Sequence, residues 1–322
     1  MGGSAMPDKQ DSQAKRLDDA ARAAWLYYLA GNTQDEIAAK LGVSRQSAQR
    51  LVSLAVSAGI VKFRIDHPIA NCLELARQLR ERYGLRYCEI SPSDWDSDSG
   101  TLGIAQLAAA KMEKWLRRED PVIMAIGTGR TLRAAVEQLS PMESRQHKVV
   151  SLTGNISPDG SAAYYNVIFT LSDIVNVRSF PMPLPVLASS ASERKMLHAQ
   201  AMIRPTLELA SRAEVTFVGI GELNNTAPLV VDGFVKLEEL TELREAGAVG
   251  EITGWAYDLQ GRILPGLTNE RVASAPLPST ETSLVIAIAK GKNKQTAIRG
   301  ALAGKLVNGL ITDEQTAKAL LG

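Results

Sequence analysis

The chain has 322 residues, 45% of them hydrophobic and 22% charged, with a formal net charge of +1. That length supports a sizeable core and about two domains, and that balance excludes a protein coated in basic surface while leaving room for local asymmetry. No apolar run reaches the ~18 residues of a membrane span, and the start MGGSAMPDKQDSQ has no hydrophobic leader, so a cytoplasmic protein without a membrane partner is expected.

Residues 1–16 are small and polar and are expected to be disordered, outside the fold. A helix follows, with Ala21, Ala24, Trp25, Tyr28 and Leu29 at helical spacing and Gly31 as its stop. Thr33-Gln34-Asp35-Glu36 fits a capping box. The short helix it opens turns Ile37, Ala38 and Leu41 inward. Gly42 suits a left-handed turn, Val43 is placed to plug the core, and Ser44 caps the next helix.

On that next helix Arg45, Gln46, Gln49, Arg50 and Ser53 share one stripe. Ala48, Leu51, Val52, Ala55 and Ala58 or Gly59 take the other. Arg pairs bidentately with guanine and Gln with adenine, and both reach phosphates. From Ile37 to Ile65 the charged residues are Lys40, Arg45, Arg50, Lys62 and Arg64, all positive. Val61–Ile65 alternates like a short strand, a wing whose cations would meet phosphate. A solvated amphipathic helix pair is the plainer alternative. The ordered set of capped helix, Gly turn, Ser cap, polar face and basic strand favours a helix-turn-helix over 17–65. Its DNA-facing residues are Ser44, Arg45, Gln46, Gln49, Arg50, Ser53 and Lys62, and the partner is double-stranded operator DNA.

Residues 66–84 read as a linker helix. Pro68 suits its first turn, and Ile69, Cys72, Leu73, Ala76, Leu79 and Tyr83 form its apolar stripe. It serves either as a linker or dimer helix or as a cover for the second domain.

From about residue 85 short apolar runs alternate with helical stretches. Strands are expected at 86–90, "PVIMAIG" (121–127), "KVVSLTG" (148–154), "EVTFVGIG" (214–221), "EITGWAY" (251–257) and "SLVIAIAKG" (283–291). Helices are expected near 102–118, 131–139, 193–211, 236–246, 295–307 and 313–321. This is the pattern of an α/β domain with a parallel sheet covered on both faces, Rossmann-like, over 85–322. Ligands in such folds sit at the C-terminal ends of the strands.

Small polar residues crowd those ends. Gly127, Thr128, Gly129, Arg130 and Thr131 link a strand to a helix and offer N–H groups, hydroxyls and a guanidinium to an anion. Thr153, Gly154 and Asn155 end a second strand, and Lys294 sits where a helix begins. An oxygen-rich, phosphorylated small molecule suits this ring. The dinucleotide and P-loop glycine patterns are both unsatisfied, and glycine at a strand-to-helix turn is routine. Glu251 reads as a solvated carboxylate, and Asp258 with Gly261 as a tight turn. The two cysteines, Cys72 and Cys88, lie too far apart for a disulfide framework, and the three histidines, His67, His147 and His198, are scattered. No metal, cofactor or catalytic residue is expected.

The chain resembles the SorC family of transcriptional regulators. The resemblance rests on "AAWLYYLAGNTQDEIAAKLGVSRQSAQRLVSLAVSAGIV", "IGTGRTL", "FVGIGEL", "GEITGWAYDLQGR" and "VIAIAKGKNKQTAIRGALAGKLVNGLITDEQTAKALL". It implies an N-terminal helix-turn-helix joined to an effector domain like the sugar-phosphate isomerases and deaminases. It further implies a homo-oligomer, dimer or tetramer. The effector would be a sugar, polyol or sugar phosphate, and the target an operon for its catabolism. By the resemblance Gly127–Thr131, Thr153, Glu251 and Lys294 would contact the effector. The rival is an isomerase or deaminase on the same fold, with Glu222 or Asp258 as base. The DNA-type head argues against it.

Overall fold

The computed structural model describes residues 9–61, 69–93, 100–157, 160–161 and 166–322. The chain divides into two compact units, Met1–His67 and Pro68–Gly322.

The first unit holds α1 (Lys9–Tyr28), α2 (Gln34–Leu41) and α3 (Arg45–Ser57). Its first helix begins at Lys9, so residues 9–16 are helical where disorder was expected. The run from Lys9 to Leu17 has no glycine or proline, and its Lys, Gln, Ala, Arg and Leu are good helix formers. Ala20, Ala23 and Ala24 of α1 are buried with Ile37, Ala38, Ala48, Val52 and Ala55. Alanines allow close helix approach, and this shifts the buried stripe of α1. Trp25 and Leu29, which share helical spacing with Ala21 and Ala24, are 58% and 76% exposed. Val43 is also exposed rather than a core plug, and so are Ala58 and Gly59.

The second unit begins with α4 (Ala70–Tyr83) and β1 (Tyr87–Ser91), then α5 (Leu102–Leu116), β2 (Ile123–Ile126), α6 (Arg130–Val136) and β3 (Met142–Ile156). The segment after β3 contains α7 (Val167–Ile174), β4 (Val175–Pro185), α8 (Ala191–Ala199) and α9 (Arg204–Ser211). Next come β5 (Val215–Val218), β6 (Gly221–Glu222), α10 (Pro228–Val231) and α11 (Leu237–Glu245). The chain closes through β7 (Ala248–Ile252), β8 (Trp255–Asp258), β9 (Leu284–Ile288), α12 (Gln295–Ala303), β10 (Gly309–Asp313) and α13 (Glu314–Leu321).

Seven strands form one sheet in the order β1-β10-β9-β5-β2-β3-β4, with every pair parallel. Successive residues of each central strand enter opposite cores. Met124 and Ile126 of β2 pack with Phe217, Ile286 and the helices α5 to α7. Ala125 packs on the other side with Leu152, Val218, Ala287 and residues of α4, α12 and α13. Burial of both faces is why these strands read as unbroken apolar runs. Each fully buried large side chain contributes ~1.5–3 kcal/mol.

Of the two readings of the helix near 66–84, the structure has the one that covers the second domain: Cys72, Leu75, Ala76 and Leu79 are buried in the core of the second unit. Two expectations are corrected here. The run at 251–257 is not a strand of the parallel sheet. It turns at Thr253-Gly254 into the antiparallel hairpin β7–β8, which with β6 makes a separate three-stranded sheet. The helix expected over 193–211 is two, because Gln200 takes an extended conformation.

Candidate functional site

In the first unit, Thr33 and Glu36 close the capping box: the Glu36 N–H donates to Thr33 Oγ1 at 3.3 Å, and the Thr33 N–H donates to Glu36 Oε2 at 2.8 Å. Gly42 adopts φ 66°, a left-handed turn that favours glycine. Ser44 Oγ accepts from the Ser47 N–H at 3.1 Å and opens α3. On α3, Ala48, Val52 and Ala55 are buried, while Arg45, Gln46, Gln49, Arg50 and Ser53 are exposed. Arg45 lies 3.6 Å from Asp35, with both side chains about 70% exposed, so water screens the pair and leaves the guanidinium available. The expected wing and its Lys62 lie outside the described residues, apart from Val61.

In the second unit a cavity of about 390 Å³ opens at the C-terminal ends of β2, β3, β5 and β9. After β2 the chain proceeds through β3 and β4 toward one edge of the sheet. After β5 it proceeds through β9 and β10 toward the other. The crevice between β2 and β5 is therefore a topological switch point, where loops part and make room for a ligand. Thr128–Leu132 follow β2 on one wall, and Gly219–Gly221 follow β5 on another. The β7–β8 hairpin supplies Glu251, Thr253 and Gly254, and Lys290 and Lys294 follow β9.

The wall mixes charge and unmet hydrogen-bonding capacity. Lys294 Nζ donates to the Ile220 carbonyl at 2.7 Å and lies 3.3 Å from Glu222 Oε2, an ion pair not aligned as a hydrogen bond. Lys290 Nζ donates to the Gly100 carbonyl at 2.8 Å and pairs with Asp313 Oδ2 at 3.2 Å. Glu251 Oε2 accepts from the Gly254 N–H at 2.7 Å. Enclosure by protein pushes its carboxyl above the ordinary range, against the opposing pull of the Gly254 N–H and Lys294. A Cβ on Gly221 would stand 1.9 Å from Glu251 Oε1, so only glycine leaves the carboxylate its place. Thr153 and Thr253 are 2% and 8% exposed, and their hydroxyls have no partner. Thr253 also has φ 51°, a strained conformation for a β-branched residue.

Residues 67–322 match the family described as "Putative sugar-binding domain". The chain is 34% identical over 317 residues to the erythritol catabolism regulatory protein EryD of Brucella abortus, covering 98% of each chain. It is 32% identical over 310 residues to the transcriptional regulator LsrR of Escherichia coli K12, covering 94% of each. The crystal structure of the full-length sorbitol operon regulator SorC from Klebsiella pneumoniae superposes with a TM-score of 0.69 at 25% identity, over 96% of this chain and 100% of that one. The chain belongs to the SorC family of sugar-binding transcriptional regulators.

Of the positions singled out in the sequence, this SorC-family cleft brings together Thr128, Gly129, Arg130, Thr131, Thr153, Glu251 and Lys294. Two stand apart. Gly127 is buried beneath the wall, where a Cβ would meet Thr253 Cγ2 at 3.2 Å. Asn155 lies outside the lining, two residues beyond Thr153 on β3. Glu251 is not the solvated carboxylate that its residue context implied, since the hairpin folds it inward. Sequence reasoning missed Thr253, Asp232 and Lys290 in the lining. Lys290 had a legible signal, a cation directly after an apolar strand. Asp232 had none, because it is carried in from the segment after α10.

The remaining candidates have structural roles. Asp258 Oδ1 accepts from the Gln260 and Arg262 N–H groups, each at 2.9 Å, and fixes the expected tight turn at Gly261. His147 lies inside β3, buried, with Nδ1 accepting from the Val122 N–H at 3.1 Å. No helix among the described residues is long and apolar enough to cross a membrane.

Proposed function

We propose that this SorC-family regulator binds operator DNA of a carbohydrate catabolic operon through α3, and that a sugar, polyol or sugar phosphate in the second unit's cleft controls that binding. One observation carries the reading. A capped helix pair presents Arg45, Gln46, Gln49, Arg50 and Ser53 to solvent, in a chain similar from end to end to a regulator named for polyol catabolism. Ser44 would fix the N-terminus of α3 against the duplex, and Lys62 would add a phosphate contact. In the cleft the strand-end donors Thr128 to Thr131, Thr153, Glu251 and Lys294 would hold the effector.

The protein works in the cytoplasm as a homo-oligomer, dimer or tetramer, since paired heads read two half-sites about one helical turn, or a multiple of it, apart. It is not an enzyme. The two bases the rival reading named are engaged, Asp258 in its turn and Glu222 with Lys294, and among the described residues no histidine lines the cleft.

Binding of the full chain to a duplex selected from random sequence tests this. Arg45→Ala with Arg50→Ala removes two base or phosphate contacts worth ~1–3 kcal/mol each. Operator affinity is expected to fall by at least ~30-fold and the salt dependence to flatten, with ligand binding in the cleft retained. Wild-type operator affinity in the double variant refutes the assignment.

A further inference from the structure

We infer that the cleft is built for an uncharged, polyhydroxylated ligand, and that Glu222 and Glu251 exclude its phosphate ester. This rests on the reading of the cleft as the effector site and narrows the effector's class.

The charges on the wall carry the argument. Three cations line the cleft: Arg130, Lys290 and Lys294. Lys290 is neutralised by Asp313, and Lys294 by Glu222. Each ammonium also has a carbonyl partner, Gly100 for Lys290 and Ile220 for Lys294. Of these three, among the described residues, Arg130 has no carboxylate partner, and it is exposed. Two more carboxylates, Asp232 and Glu251, line the same space. A phosphate dianion entering here faces the acids Asp232 and Glu251 on the lining, while two of the three cations are already held by Asp313 and Glu222. It would have to break an existing ion pair to gain a charge-assisted donor.

Hydroxyl groups face the opposite balance. Glu251, on the lining, accepts from a ligand O–H and when protonated also donates. Burial moves Glu251 in that direction. The hydroxyls of Thr153 and Thr253 are buried at the wall without a partner. A buried polar group left unpaired is costly, and native proteins keep few of them. A ligand carrying several O–H groups satisfies both threonines and Glu251. An apolar ligand satisfies none.

The test uses the full chain, with calorimetric titration and thermal shift over linear polyols and sugars of four to six carbons, each beside its monophosphate, and inorganic phosphate. One or more uncharged compounds are expected to bind at least ~10-fold tighter than their own phosphates. In Glu222→Gln, which frees Lys294, that preference is expected to shrink or reverse. A phosphate ester that binds the wild type as tightly as its parent, or tighter, overturns the ligand class and leaves the regulator reading standing. A Glu222→Gln variant with unchanged preference also overturns the role given to the carboxylates. Failure of every compound to bind a chain that still holds its selected duplex overturns both readings.

Discussion

Thr153 has a hydroxyl that the folded chain leaves unsatisfied. Valine has the same shape without the polar atom, so Thr153→Val separates stability from binding. The variant is expected to melt at or above the wild-type temperature, by up to the equivalent of ~1 kcal/mol, while ligand affinity drops ~5–10-fold. Reduced stability together with unchanged affinity would show that the hydroxyl has another use. Single residues also mark the limit of what the sequence discloses. Thr128 to Thr131 and Lys294 were readable because they sit directly beside a strand end. Glu251 was not readable from its own context. Its burial depends on a hairpin folding against the β5 end and on the missing side chain of Gly221, and neither is local to it.

At the scale of elements, legibility followed burial and punctuation. In the second unit β2, β5 and β9 were visible because both of their faces are covered. The strand β4, VNVRSFPMPLP, was missed. It lies at the sheet edge, where prolines are tolerated because no ladder partner needs their N–H. The strand β10, GLITD, is short and begins with glycine, so it resembles a turn although it is fully buried. In the first unit the capping signals at Thr33 and Ser44 marked helix starts that the structure reproduces. Ser44→Ala is therefore expected to lower stability by ~1 kcal/mol, read in thermal unfolding of the full chain by circular dichroism. Frayed α3 ends should also weaken operator binding without any loss of charge. Unaltered melting and DNA affinity would mean that the cap contributes nothing.

At the scale of the whole molecule, control requires that the effector favour one of two states that hold DNA differently. Coupling of this kind is typically ~1–3 kcal/mol, a change of about 5–150-fold in affinity. It is also reciprocal. Saturating the protein with its selected duplex must change the effector's affinity by the factor that the effector changes the duplex's. Calorimetric titration of effector with and without DNA measures one side, and DNA titration at saturating effector the other. Equal and unit factors on both sides would remove the regulatory link while leaving two independent binding sites.

The interlock of Gly221 with the Glu251 carboxylate has a consequence for descent. Neither partner is free to drift alone: a methyl at 221 collides with the acid, and a shorter acid leaves a hole beside the glycine. Lineages that exchanged one are expected to have exchanged the other.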